Sequence, residues 1–135
     1  MTDTDLVTRY YDAFNRGDWD GMCAMLADDV AHDLNQGKRE VGKQTFRAFL
    51  ARMEASYREE LRDICVMGNG AGRVGAEYVV HGTYVNTDEG LPAAAGQTYV
   101  LPGGAFFEIR GGKITRVTNY YNLADWLAQV GATSS

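Results

Sequence analysis

An α+β fold, with helices leading and long antiparallel strands following, is predicted by where the hydrophobic period changes along the chain. Three observations carry it. Apolar residues recur at helical spacing from Leu6 to Phe14 and from Phe46 to Tyr57. From Arg62 onward the helical period gives way to strand-like runs, the first of them, Arg62 to Met67, apolar on both faces. Asn69-Gly70 and Gly111-Gly112 stand as hairpin turns between strand-like runs.

The elements follow in order. Thr4 serves as N-cap for a helix carrying Leu6, Tyr10 and Phe14, with Val7 and Tyr11 on the same face, and Gly17 stops it. Trp19, Met22, Cys23 and Leu26 mark a second, short helix, which Asp28-Asp29 breaks before a brief extended stretch from Val30 to Asn35. Gln36 to Arg39 reads as a turn. In the third helix Phe46, Phe49, Leu50, Met53 and Tyr57 form a stripe, with Arg47, Arg52, Glu54 and Arg58 left polar. Arg62 to Met67 and Arg73 to Asn86 read as strands, and Thr87 to Gly96 as a loop over the mouth of any cavity. Gln97 to Leu101 and Ala105 to Ile109 are strand pieces, and Pro102-Gly103-Gly104 between them predicts a bulge. Ile114 to Tyr121 is the last strand. Asn122 caps a short helix with Leu123, Trp126, Leu127 and Val130.

With 135 residues, 45% hydrophobic, the chain suits one domain, read as 1–131 with a frayed tail at 132–135. A net charge of -5 argues against a phosphate backbone as partner, so no nucleic acid is expected. The opening residues lack a signal's basic and apolar regions, and no run approaches the roughly 20 apolar residues of a membrane span; the expectation is cytoplasmic, with no membrane partner. Cys23 and Cys65 have neither metal-ligand spacing nor disulfide density and read as buried packing residues. Two histidines without a third ligand at metal spacing predict no metal, and no cofactor is expected.

Chemistry concentrates at His32-Asp33-Leu34-Asn35. In an extended segment Ala31, Asp33 and Asn35 share a face, which places His32 on the opposite one. Tyr78, Val80, Gly82 and Tyr84 alternate on one face of their strand, and His81 falls on the other. Val117, Asn119 and Tyr121 share a face, so Asn119 interrupts an apolar row. A buried amide must be satisfied by a neighbour or a ligand. Phe46, Phe49, Met53, Phe107, Ile109 and Trp126 read as core and pocket wall.

The element order resembles the nuclear transport factor 2-like (NTF2-like) superfamily. The motifs that carry this are Arg9 to Asp18, Leu26-Ala27-Asp28-Asp29-Val30, Gly42 with Phe46 and Phe49, and Gly112-Lys113-Ile114. His32 to Gly37, Gly96 to Pro102 and Thr118 to Asn122 are similar to its SnoaL-like, ketosteroid-isomerase-related branch. The resemblance implies a cone: a curved, mostly antiparallel sheet round N-terminal helices, enclosing a deep apolar pocket, with a homodimer formed through the sheet. The family's isomerases use a carboxylate base and an oxyanion hole of a tyrosine and a protonated aspartic acid. The tyrosine position falls on Tyr10. The base position falls on Leu34, or on Asp33 with a one-residue deletion, and Asp33 is preferred because leucine cannot move a proton. The second acid's position lands among Gly103 to Phe106, and the epoxide hydrolase pattern is lost at Tyr78, Val80 and Asn119.

The resulting expectation is a cofactor-free isomerase or lyase acting on a small apolar carbonyl compound. Asp33 shuttles the proton, Tyr10 and Asn119 polarise the oxygen, and Asn35 positions Asp33. Phe14, Trp19, Tyr78, Tyr84, Phe107 and Tyr121 contact the ligand. Asp33 could instead serve the turn at Gly37. The competing expectation is a non-catalytic pocket for a small hydrophobic molecule, or a dimeric scaffold.

Overall fold

A computed structural model describes residues 1–131, and the tail expected at 132–135 lies outside them. In the described part, four helices and six strands alternate as α1 (Asp3–Arg16), α2 (Trp19–Ala24), β1 (Leu26–Asp33), β2 (Arg39–Val41), α3 (Lys43–Ser56), β3 (Tyr57–Gly68), β4 (Arg73–Tyr84), β5 (Thr98–Arg110), β6 (Lys113–Tyr121) and α4 (Leu123–Gly131). The strands form one curved sheet in the order β2-β1-β6-β5-β4-β3. Every neighbouring pair is antiparallel except β1 with β6. This is the α+β architecture that the resemblance implies.

The N-cap of α1 is Thr2, two residues before the expected Thr4. Thr2 accepts from the Asp5 amide while the Asp5 side chain accepts from Thr2, a capping box that fixes the start. It ends at Gly17, whose φ of 69° suits a residue without Cβ. Asn15 then ties the helix to the sheet, exchanging bonds of 2.9 Å with both backbone groups of Leu61. The core lies between α1, α3 and the sheet's inner face, where Val7, Ala13, Val30, Phe107, Ile114 and Val117 are fully buried. Each such large apolar side chain contributes about 1.5–3 kcal/mol by leaving water.

Several expectations are corrected. Strand β1 begins at Leu26, and Asp28-Asp29 lie inside it, exposed at a register shift between Leu26 and Ala31. A short β2 replaces part of the predicted turn. Tyr57 opens β3 rather than closing α3, so that strand starts five residues earlier than expected. No bulge occurs at Pro102-Gly103-Gly104; the register runs unbroken from Arg73↔Glu108 to Thr83↔Thr98. Proline is tolerated there because β6 stops opposite Gly103. Val100, whose backbone points to the same flank, bonds the Gln129 side chain instead of a strand. The bends sit at shifts between Arg62 and Cys65, where Asp63 has φ 53°, and between Glu108 and Ile109. Cys65 is exposed, whereas Cys23 is buried.

The two glycines that matter face tyrosines. Tyr78 pairs with Gly103 and Tyr99 with Gly82 across the β4–β5 ladder. A Cβ on Gly103 would stand 2.7 Å from the Tyr78 ring, and one on Gly82 2.3 Å from the Tyr99 ring. Each ring therefore lies across the neighbouring strand and lines the inner face. On the outer face Phe106 and Tyr120 are exposed with rings 5.9 Å apart. No helix among the described residues is long and apolar enough to cross a membrane.

Candidate functional site

A cavity of about 830 Å³ opens between α1, α3, α4 and the inner face of the sheet. Its size is that of a site for a small organic molecule. Of the residues the sequence singles out, Tyr10, Phe14, Trp19, Asn35, Tyr78, Asn119 and Tyr121 line it. Trp19 is fixed by donating from Nε1 to Glu54 at 2.7 Å, and Asn35 by accepting from the Tyr121 amide at 2.8 Å.

Asp33 does not line it. Its carboxylate receives a two-pronged bond from Arg39, at 2.6 and 3.0 Å, and a third from the Thr118 hydroxyl at 2.6 Å. Arg39 first, then Thr118 and the charges of Arg39 and Arg116, outweigh burial and hold the Asp33 carboxyl down at about 2. An acid so paired is a poor proton acceptor at neutral pH, and Asn35 does not position it. The face assignment of β1 is inverted: Leu26, Val30 and His32 are the buried set, and Asp33 shares the outer face with Thr118.

Two further predicted contacts are also corrected. Phe107 is fully buried beneath Tyr10 and Tyr11, at 5.4 and 5.9 Å between ring centroids, and does not reach the cavity. Tyr84 is likewise fully buried, stacked on Tyr57 at 5.4 Å. Its hydroxyl donates to the Pro92 carbonyl at 2.6 Å and accepts from the Asp88 amide at 2.9 Å. Tyr84 thereby anchors the loop that brings Asp88 and Leu91 to the cavity wall. Asp88 in turn accepts from the Tyr57 hydroxyl at 2.8 Å.

Sequence reasoning missed two groups. The first is Glu59, on the inward side of β3 between Tyr57 and Leu61. By surface area Glu59 is an exposed residue, and it stands at the cavity wall, with desolvation acting on its carboxyl from the packed side. Tyr99 donates to Oε2 at 2.5 Å. Burial pushes the Glu59 carboxyl up, and the Tyr99 hydrogen bond only partly offsets that. Among the described residues no cation pairs with it. Glu59 bears electrostatically on Tyr78, Tyr99 and Tyr121, which marks them as its neighbours. The signal was the alternation Tyr57, Glu59, Leu61, hidden because the helical stripe runs on to Tyr57.

The second is His32, fully buried with its Nε2 3.1 Å from Asn119 Nδ2. Burial dominates and lowers the imidazole to about 4, against the raising effect of Glu40 and Asp33, so the ring is neutral at pH 7. The tyrosines remain protonated donors. Burial raises the Tyr10 hydroxyl well above its ordinary value, and Tyr78 goes up to about 12 from burial first and the Glu59 charge second. The buried Tyr11 hydroxyl makes no hydrogen bond of good geometry, and Tyr78, whose ring lies 5.5 Å from that of Tyr11, is the group within its reach. Among the described residues no group of His, Cys, Asp and Glu is arranged to hold a metal ion.

Residues 7–117 match the family model described as a SnoaL-like domain. A search of curated proteins finds no match. Among solved structures, a candidate polyketide cyclase from Xanthomonas campestris pv. campestris is 69% identical, over 93% of this chain and 94% of its own, with a TM-score of 0.90. Another from Pseudomonas putida is 58% identical over 96% and 98%, with a TM-score of 0.94. A third from Silicibacter sp. is 56% identical over 93% of each chain, with a TM-score of 0.92. A family match across most of the chain, on a sheet and cavity of the kind its motifs imply, establishes that this chain belongs to the SnoaL-like domain family.

Proposed function

We propose that the protein is an acid–base enzyme of the isomerase or cyclase type, moving a proton on a small apolar carbonyl compound, with Glu59 as the shuttle. The observation that carries this is a carboxylate at the wall of an aromatic cavity that accepts from Tyr99 and, among the described residues, has no cationic partner. Desolvation raises this carboxyl from its ordinary value, the direction in which a carboxylate becomes a better proton acceptor. The solved relatives described as candidate polyketide cyclases support the same class.

Glu59 would take a proton from the carbon beside a carbonyl, becoming neutral, while the electron pair moves onto the oxygen. Tyr78, beside Glu59, and Tyr10, beside Tyr78, would donate hydrogen bonds to that oxygen as it gains charge. Returning the proton to a different carbon completes an isomerisation, and attack of the enolate carbon on a second carbonyl, with the Glu59 proton passed to the alkoxide that forms, completes a cyclisation. The loop anchored by Tyr84 limits water at the mouth.

The test is proton exchange in D2O. Small ketones and enones are incubated with the protein and α-deuteration is followed by NMR. The wild type should exchange a ligand that it binds, and Glu59→Gln should slow exchange at least ~100-fold, as removal of a general base does. An unchanged rate in Glu59→Gln would remove the assignment, and binding without exchange in the wild type would favour a pocket without chemistry.

A further inference from the structure

His32 is the most deeply buried titratable group of the cavity, and the reaction outlined above does not use it. Its ring is 1% exposed and stands 4.6 Å, centroid to centroid, from both Phe46 and Phe49. Nε2 meets Asn119 at 3.1 Å, whereas Nδ1 is buried with no partner. A second buried atom without a partner is Glu40 Oε1. His32 and Glu40 are directly opposite each other in the β1–β2 ladder. Opposed residues of an antiparallel pair project to the same face with Cβ atoms about 5 Å apart.

These orphans answer each other. A neutral imidazole has one N–H and one lone pair, and a carboxylate can only accept. With the proton on Nδ1, the ring has a donor to offer the Glu40 carboxylate across the ladder, and Nε2 keeps a lone pair to receive an N–H from Asn119. With the proton on Nε2, two acceptors would face each other in a buried place, each unsatisfied. The first arrangement also agrees with Asn119 Nδ2 being the atom turned toward the ring.

We propose that Glu40, His32 and Asn119 form a hydrogen-bonded chain that fixes the Asn119 amide. One N–H then goes to His32, and the other N–H together with Oδ1 faces the cavity as a recognition point for a ligand oxygen that can both accept and donate. Hydroxyl, phenol and enolisable carbonyl oxygens have that property, because enolisation converts an acceptor into a donor. Asn119 touches the ligand, while His32 and Glu40 are positioning residues.

This proposal rests on the cavity being the substrate site, and it narrows the substrate. Asn119 stands opposite Ala105, whereas Glu59 is reached from Tyr99, six residues away on β5. The Asn119 amide and the Glu59 carboxylate therefore meet the ligand from different strands of the sheet, so the oxygen that Asn119 recognises lies on an apolar molecule at a different position from the carbon that loses its proton.

Two measurements on the full chain test this without turnover, so they succeed or fail independently of the Glu59 assignment. In 15N NMR of labelled histidine at pH 7, His32 should be protonated at Nδ1 and bare at Nε2. A proton on Nε2 overturns the proposal. The probes for the amide are 2-naphthol and naphthalene, alike in shape and differing by one hydroxyl. The wild type should prefer 2-naphthol by about tenfold, the worth of one hydrogen bond. His32→Leu should cut that preference to about twofold with naphthalene affinity retained, and Glu40→Leu should cut it in the same direction, whereas Glu40→Gln, which still accepts from Nδ1, should keep it. An undiminished preference in His32→Leu overturns the proposal, and if that variant fails to fold, the tautomer measured in the wild type decides alone.

Discussion

Tyr99 reaches Glu59 by crossing the strand between them: its hydroxyl donates to Oε2 at 2.5 Å, and its ring fills the space that a side chain on Gly82 would need. The bond favours the charged carboxylate and so restrains the upward pull of burial. Tyr99→Phe removes the donor with little change in shape, and Gly82→Ala displaces the ring. Both should raise the Glu59 pKa further and move the acid limb of the pH–rate profile to higher pH. A profile unmoved in Tyr99→Phe would mean that the bond does not govern Glu59.

Asp33 separates the outer-face role from the catalytic one. Asp33→Asn should leave proton exchange within about twofold of wild type. It should cost about 1 kcal/mol of stability at pH 7, the scale of a largely surface ion pair, which is about 3 °C in Tm. Because the folded carboxyl lies at about 2, below its unfolded value, this stabilisation is present at neutral pH. It is lost as pH falls through 4 toward 2, where wild type and variant should converge in thermal melts.

Much of the fold was legible because its signals are local. The stripe Leu6, Tyr10, Phe14, the Asn69-Gly70 turn and the Asn122 cap, which accepts from the Asp125 amide at 3.1 Å, each specify an element without reference to distant residues. The site was half legible. Alternation on β4 and β6 placed Tyr78, Asn119 and Tyr121 inward, since long strands have clear phase. The β1 segment is short, and its phase depended on where the strand begins. Starting from Leu26 and Val30 puts His32 inward, whereas choosing the residue able to move a proton put Asp33 there. Glu59 was hidden by the helix-to-strand junction at Tyr57. The Glu40–His32 pairing depends on β2, a three-residue strand with no pattern of its own.

His32 predicts an acid-sensitive fold. Its pKa falls from 6.5 to about 4 on folding, so between those values the unfolded chain binds a proton that the native state refuses. Stability contributed by the neutral ring is complete above pH 6.5 and lost as pH falls toward 4, by up to about 3 kcal/mol. Urea unfolding at a series of pH values should show this loss in wild type and not in His32→Leu. Parallel curves would contradict the buried, neutral imidazole.

Tyr84 holds Asp88 and Pro92 through its hydroxyl, while its backbone bonds Gly96 and Gln97 at the far end of the loop. Tyr84→Phe keeps the stack on Tyr57 but leaves the Pro92 carbonyl and the Asp88 amide without that partner, at about 1–3 kcal/mol for buried groups. Hydrogen exchange at the Asp88 amide should quicken at least ~5-fold, with exchange in β4 and β5 unchanged. Equal exchange in the two proteins would show that the loop is held by other contacts.

The most direct measurement is the titration of the Glu59 carboxyl, followed by 13C NMR of side-chain-labelled glutamate and assigned with Glu59→Gln. The account predicts a midpoint clearly above the ordinary 4.5, rising further in Tyr99→Phe. A midpoint at or below 4.5 would mean that the carboxylate is solvated like any surface acid, and would contradict its role as the base.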